Sequence, residues 1–443
     1  MSEFRRLLRL AGPIVLAQLG QMLLGVVDAA LAGHLSTKAL GAVTLGNLWQ
    51  FGTVLPLAGV VMGLDPLVSQ AHGAGLHEQA RLALRRAVMI ACALALPVCF
   101  AWAHAEQGLL LFGQDPQLAQ LAGMYTRVQL FSVPCLLIYH GLSTYFTARG
   151  VVRPGLIAMV LANVFNAVVA YALIFGRFGL PAWGIWGGGL ATGLTRLLSM
   201  LLLALMIKLE RNAAAKDRGA MLRGVFDVRA LWRQLALGAP LGVTLALEMW
   251  AFQIGTLLAG RLGPLPLSAH GVALNLSSIS FMVPLGLGIA SSSRVGQLIG
   301  AREPAAAQLA AQAALKLALC HAAFSATLFI LARASLPRFY TDDHATVQLA
   351  ASVLPIAGTF QVMDGLQTVS GGVLRGMGRP RVTAVLNLVG YFALGIPLAY
   401  YLGLRTSLGI AGIWYGYAAG LSVVAVGLVS TVLWRGPRHV RPL

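Results

Sequence analysis

Twelve apolar runs follow one another along this chain, each about as long as the 20 residues or so that an α-helix needs to cross a bilayer. They lie at roughly 10–33, 40–71, 82–104, 120–148, 155–176, 184–209, 234–261, 266–299, 305–332, 346–374, 381–402 and 410–434. Pro13, Pro56, Pro240, Pro284, Pro355 and Pro397 fall inside them. Membrane helices tolerate this because neighbouring helices satisfy the freed backbone groups. Composition agrees: 58% of the 443 residues are hydrophobic and only 10% are charged. Soluble domains carry about 25% charged residues, and disordered chains need low hydrophobicity, so both classes are excluded. The expected fold is an all-α polytopic membrane protein.

The net charge of +18 could suggest nucleic acid. The basic residues sit in the short breaks between apolar runs, however, so membrane topology accounts for them and nucleic acid is not expected as a partner. With the N-terminus placed in the cytoplasm, 23 of the 32 Lys and Arg fall on inward segments. Outward loops hold seven, from Lys38 to Arg405, while Arg196 and Lys316 lie inside spans. This asymmetry puts both termini in the cytoplasm. No small-residue cleavage site follows the first run cleanly, so the N-terminus is expected to remain as a span. Cys92, Cys99, Cys135 and Cys320 lie in apolar runs with no CxxC pair and are expected to be core residues.

The chain repeats itself. Leu10-Ala11-Gly12-Pro13 matches Leu237-Gly238-Ala239-Pro240, and Ala32-Gly33-His34-Leu35 matches Ala259-Gly260-Arg261-Leu262. Arg149-Gly150 with Arg153-Pro154 echoes Arg375-Gly376 with Arg379-Pro380, and Gly184-Ile185-Trp186 echoes Gly412-Ile413-Trp414. A unit of six spans enters twice from the same side, so the repeats are parallel and related by an axis along the membrane normal. The expected organisation is two pseudo-symmetric six-helix bundles: an N-terminal lobe 1–209, a cytoplasmic linker 210–233 and a C-terminal lobe 234–443. Such a duplication suits alternating access, and some channels as well.

Of the 14 acids, four lie within spans: Asp28, Asp65, Glu248 and Asp364. An acid at the bilayer centre costs about 2.5–3.5 kcal/mol on the insertion scale, so each is a functional candidate. The other reading is an acid held between helices as a structural bond. One carboxylate can be neutralised in turn by a proton, a metal cation or an organic cation, which is the chemistry of exchange. Glu248 lies about 21 Å and Asp364 about 16 Å from the inner ends of their spans, at 1.5 Å per residue. The repeat aligns Glu248 with Gln21 and Asp28 with Gly255, so the scaffold does not impose these acids. Asp65 lies near the inner end of its span.

The intramembrane amides, Gln21, Asn166, Asn275, Gln367 and Asn387 among them, read as interhelical glue. Arg196 reads as a partner for a buried acid or as a snorkelling residue. No P-loop, GxSxG elbow, potassium-filter loop or HExxH spacing is present. Neither an enzyme nor a cofactor is expected.

The stretch AHGVALNLSSISFMVPLGLGIASSSRVG from Ala269 to Gly296 carries a resemblance, together with Gly25-Val26-Val27-Asp28 and Gln361-Val362-Met363-Asp364. Over nearly its whole length the chain resembles the multidrug and toxic compound extrusion (MATE) family, NorM-type. The resemblance implies twelve helices in two lobes around a V-shaped cleft, in the cytoplasmic (inner) membrane of a bacterium, usually as a monomer. It implies export of cationic amphipathic drugs in exchange for Na⁺ or H⁺. Asp28 matches the carboxylate linked to proton coupling and drug release. Glu248 and Asp364 match the acids linked to cation coupling, and so to a Na⁺ site. Asn166 matches a polar position of the fifth span. Two departures stand out. Phe360 occupies a position where NorM-type sodium sites can carry Tyr, keeping the ring but losing the hydroxyl. Ala170 replaces a second polar residue. Asp65, Gln21 and Asn275 are secondary site candidates. The alternative reading is a flippase or exporter of lipid-linked or other anionic substrates in the same superfamily.

Overall fold

The computed structural model describes residues 3–212 and 224–443. Lys216, Arg218 and Arg223 of the expected linker lie outside the described residues. Among the described residues the chain is helical, with no strand. In chain order the helices are α1 (Glu3–Leu35), α2 (Thr37–Val61), α3 (Asp65–Gly73), α4 (His77–Ala103), α5 (Ala105–Leu111), α6 (Pro116–Arg127), α7 (Val133–Ala148), α8 (Arg153–Phe175) and α9 (Gly184–Asn212). After residue 224 come α10 (Val228–Arg261), α11 (Pro264–Gly300), α12 (Pro304–Leu331), α13 (His344–Gly376), α14 (Pro380–Asn387), α15 (Ile396–Leu404) and α16 (Gly409–Trp434). A π-helical segment, Leu388–Gly395, joins α14 to α15 as one continuous span.

Eleven stretches are long and apolar enough to cross a membrane, and the pair α6–α7, bent by 46°, makes a twelfth. The expected all-α polytopic fold is therefore what the chain adopts. Local chemistry marks the helix ends. Prolines occupy the first turn of α6, α11, α12 and α14, where the missing N–H has no intrahelical partner to lose. Ser36 and Asp115 cap α2 and α6 by accepting backbone N–H groups at 3.0 Å. The bend between α6 and α7 falls just before Pro134. There Gln129 Nε2 donates to the Tyr125 carbonyl (2.9 Å) and Ser132 Oγ to the Gln129 carbonyl (2.7 Å), so side chains satisfy what the break exposes.

The helices pack into two compact units. One comprises Met1–Val15, Asp65–Leu76 and Val243–Leu443. The other comprises Leu16–Leu64 and His77–Gly242. In the first unit α11 and α13 run against each other at backbone contact. A Cβ on Gly372 would collide with the Gly288 carbonyl, and one on Gly376 with the Ser292 carbonyl. In the same unit α3 docks on the end of α11. Cβ atoms at Gly73 and Gly300 would strike the Gln297 and Gln70 carbonyls. Gln70 Nε2 donates to the Gly376 carbonyl at 2.9 Å, and the Leu443 amide donates to Gln70 Oε1 at 2.7 Å. Lipid offers no hydrophobic drive for helix association, so small residues and interhelical hydrogen bonds hold such contacts.

In the second unit Gly189 lies against the Tyr125 carbonyl of α6, and Gly238 against the Val60 carbonyl of α2. Outside the spans, Asp343 caps α13. The Thr346 hydroxyl and amide both donate to its Oδ2 (2.6 and 2.9 Å) and hold the carboxyl below its ordinary value of 3.8.

Gly372→Ala should therefore cost about 1–3 kcal/mol, the range for overpacking, and lower the Tm of the detergent-purified protein. Gly12→Ala, where a Cβ meets nothing within 4 Å, should leave Tm unchanged or raise it. The Asp343 cap is complete above the unfolded carboxyl's pKa and is lost as the pH falls through the lower folded value. The protection factor of the Thr346 amide, its exchange rate relative to an unstructured amide at the same pH, should accordingly fall in acid, and Asp343→Ala should show that lower protection at neutral pH.

Candidate functional site

The four intramembrane acids divide by their partners. Asp65, at the start of α3, is 5% exposed and forms an ion pair with Arg375 at the end of α13, Nε to Oδ2 at 2.9 Å. Ser292 Oγ of α11 donates to the same oxygen at 2.6 Å. Asp65 is thus neutralised by a fixed cation of its own unit. Among the described residues, Asp28, Glu248 and Asp364 take part in no salt bridge.

Glu248 on α10 and Asp364 on α13 belong to the first unit and lie close enough for their charges to interact. Glu248 is held through one oxygen. Its Oε1 accepts Gln367 Nε2 of α13 at 2.6 Å and Asn387 Nδ2 of α14 at 2.8 Å. Tyr391 of the π-helical segment donates its hydroxyl to Gln367 Oε1 at 3.3 Å. Asp364 is 5% exposed and has no hydrogen-bond partner among the described residues. Phe360, one turn before Asp364, is buried in a cluster of rings, with Phe252 and Trp414 edge-on at 5.9 and 5.7 Å. Tyr391 and Tyr417 flank Phe252 in the same cluster. Two carboxylates beside an aromatic wall can take up a small or organic cation.

Asp28 on α1 belongs to the second unit and is 6% exposed. Its Oδ2 accepts the Thr192 hydroxyl of α9 at 2.9 Å, while Oδ1 is buried and has no hydrogen-bond partner among the described residues. Asn166 of α8 is close enough to act on Asp28, yet its amide makes no bond at ordinary hydrogen-bond distance. A small cavity of about 10 Å³, lined by Asp28, Ala32, Tyr125 and Gly188 among others, opens beside the carboxylate. That is room for about one water. Arg196 lies one helical turn from Thr192 on the same face of α9. It donates to Gln50 Oε1 at 2.9 Å and lies over the Trp102 ring at 5.3 Å, so it is an interior cation and does not snorkel.

The structure thus brings Glu248, Asp364 and Phe360 together, and brings Asp28 beside Asn166. Gln21 is exposed on α1, and Asn275 accepts the Tyr340 hydroxyl at 2.8 Å. Where the repeat replaces Asp28 with Gly255, the Tyr417 ring fills the vacant position and its hydroxyl donates to the Ala251 carbonyl at 2.6 Å. Sequence reasoning left Gln367 and Asn387 as glue and passed over Thr192. The one signal pointing to Gln367 is its spacing of three residues from Asp364, which puts both on one helix face. Among the described residues no cluster of three or more His, Cys, Asp or Glu occurs.

Known proteins place this architecture. The MatE family model matches residues 13–172 and 240–401. The probable multidrug resistance protein NorM of Bradyrhizobium diazoefficiens is 36% identical over 97% of this chain and 92% of its own. The multidrug resistance protein PmpM of Pseudomonas aeruginosa is 32% identical over 99% of this chain and 93% of its own. Among solved structures, the eukaryotic MATE transporter AtDTX14 superposes with a TM-score of 0.88 at 25% identity, covering 98% of both chains. A MATE crystallised in the straight conformation gives 0.87 at 20% identity, over 98% of this chain and 96% of its own.

The pairing of Asp65 is testable as stability. Arg375→Met strands a buried carboxylate and should cost about 3–5 kcal/mol. Adding Asp65→Asn should recover a large part of that loss, and a double-mutant cycle on Tm in detergent reads the coupling.

Proposed function

The chain belongs to the MatE family, a multi-pass membrane transporter of the multidrug efflux kind and not an enzyme, and on that premise we propose that it is a secondary antiporter exporting cationic amphipathic compounds in exchange for Na⁺ or H⁺. The observation that carries this reading is the set of three intramembrane carboxylates, Asp28, Glu248 and Asp364, that form no salt bridge among the described residues. In a low-dielectric interior each needs a neutralising partner, and an exchanged cation supplies one. Glu248 and Asp364 take the coupling ion, which is cargo here, while Asp28 exchanges a proton or the substrate's charge. Phe360, closed in by Phe252 and Trp414, forms the apolar backing one turn from Asp364, and Asn166 supports Asp28.

The repeats 1–209 and 234–443, joined by 210–233, alternate between inward and outward access, with both termini in the cytoplasm of a bacterial inner membrane. The working unit is a monomer in the lipid bilayer. Asp65 plays no part in the exchange in this reading, because Arg375 already satisfies it.

In proteoliposomes, ethidium should leave against an imposed Na⁺ or pH gradient. Asp364→Asn and Glu248→Gln should abolish gradient-driven efflux, and Asp28→Asn should lower it at least tenfold, with insertion unchanged in all three. Wild-type efflux by both Asp364→Asn and Glu248→Gln would sink the proposal.

A further inference from the structure

The two oxygens of Glu248 are not equivalent. Oε1 accepts two N–H donors, from Gln367 at 2.6 Å and Asn387 at 2.8 Å. Oε2 makes no hydrogen bond among the described residues, and Glu248 is half-buried and not sealed. An oxygen that accepts two N–H groups has both lone pairs engaged. A proton or metal ion could bind it only by displacing a donor, and a charge-assisted hydrogen bond is among the stronger ones in a protein. Oε2 has no such competition.

The donors are themselves fixed. Gln367 Nε2 also reaches Asn387 Oδ1 at 3.4 Å, so the two amides orient each other. Tyr391 holds the far end of Gln367 through its hydroxyl. Asn387 and Tyr391 bracket the start of the π-helical segment, whose glycines press on α16 at backbone contact. Cβ atoms at Gly390 and Gly420 would meet the Gly420 and Gly390 carbonyls respectively. π-helical turns are rare and cluster at functional sites. Here the turn sets the two side chains that reach the Glu248 network.

We propose that Gln367, Asn387 and Tyr391 are positioning residues that reserve Glu248 Oε1 for amide donors and direct the exchanged cation to Oε2. The inference rests on Glu248 being a coupling acid. The charged and titratable groups acting on this cluster are Asp364 and Arg375 on α13, Tyr391 on the π-helical segment and Tyr417 on α16. Neither Asp364 nor Arg375 hydrogen-bonds to Glu248 among the described residues. Removing a donor opens Oε1 to the cation, so the cation binds more tightly and leaves more slowly.

The test uses the full-length protein in proteoliposomes, with ethidium as probe and whichever of Na⁺ or H⁺ drives the wild type. Gln367→Met and Asn387→Leu should each lower the apparent KM for the driving cation about tenfold and slow turnover, with the KM for ethidium within about twofold. Tenfold corresponds to about 1.4 kcal/mol, the scale of one hydrogen bond to a charged group. Tyr391→Phe keeps the ring and should shift the same constant by a smaller factor. Infrared difference spectra with and without the cation supply a second readout. The carboxylate band absent from Glu248→Gln should move in Gln367→Met and Asn387→Leu, which a purely structural loss would not cause. If Glu248→Gln is inactive while Gln367→Met and Asn387→Leu keep the wild-type cation KM and band position, the donor assignment is overturned and the antiport reading stands. If Glu248→Gln transports normally, the antiport reading fails first. A variant too unstable to reconstitute is replaced by Tyr391→Phe, for which an unchanged cation KM and band count against the proposal.

Discussion

A carboxylate in hydrocarbon must be neutralised, and that constraint organises the interior of this protein. Asp65 meets it internally, with Arg375 at 2.9 Å and Ser292 at 2.6 Å on one oxygen. Asp28, Glu248 and Asp364 meet it only in part, through a hydroxyl, a pair of amides, or, among the described residues, no hydrogen bond. The same chemical group is therefore a structural bond in one place and, in the proposed antiporter, an exchange site in three others. What separates them is whether a guanidinium lies within reach.

The second constraint is backbone approach. Helices in lipid gain nothing from burying apolar faces against one another, so their contacts rely on small residues and hydrogen bonds. In the first unit α11 and α13 meet through Gly288, Gly372 and Gly376, and α3 meets α11 through Gly73 and Gly300. This places Asp364 and Gln367 of α13 opposite Glu248 of α10. The π-helical segment, pressed on α16 through Gly390 and Gly420, brings in Asn387 and Tyr391. Close packing and the polar cluster are thus one arrangement.

The two repeats share a scaffold and differ in chemistry. Asp28 has Gly255 as its counterpart, and the Tyr417 ring occupies the space that the missing side chain leaves. A duplicated fold can keep its helix packing while one copy carries an acid where the other carries an aromatic ring. Asp28 and Glu248 lie on the corresponding first helices of their repeats but at different positions, opposite Gly255 and Gln21 in the alignment.

Much of this was legible in the residues alone. Apolar length dictated the spans, because the thickness of the bilayer leaves few other solutions. The offset repeats at Pro13 and Pro240, and at Arg149 and Arg375, exposed the duplication. Rare acids inside apolar runs marked Asp28, Asp65, Glu248 and Asp364, because charge in a membrane is expensive wherever it falls. Which of those acids is already satisfied was not legible. Arg375 lies 310 positions from Asp65 in the chain, and only helix packing brings the two together. The roles of Gln367, Asn387, Tyr391 and Thr192 were hidden for the same reason. An amide or hydroxyl is cheap enough in a membrane to occur as ordinary interhelical glue, and its partner depends on how each helix is rotated about its axis. The linear pattern supplies the cost of a group, and the tertiary structure alone decides what it faces.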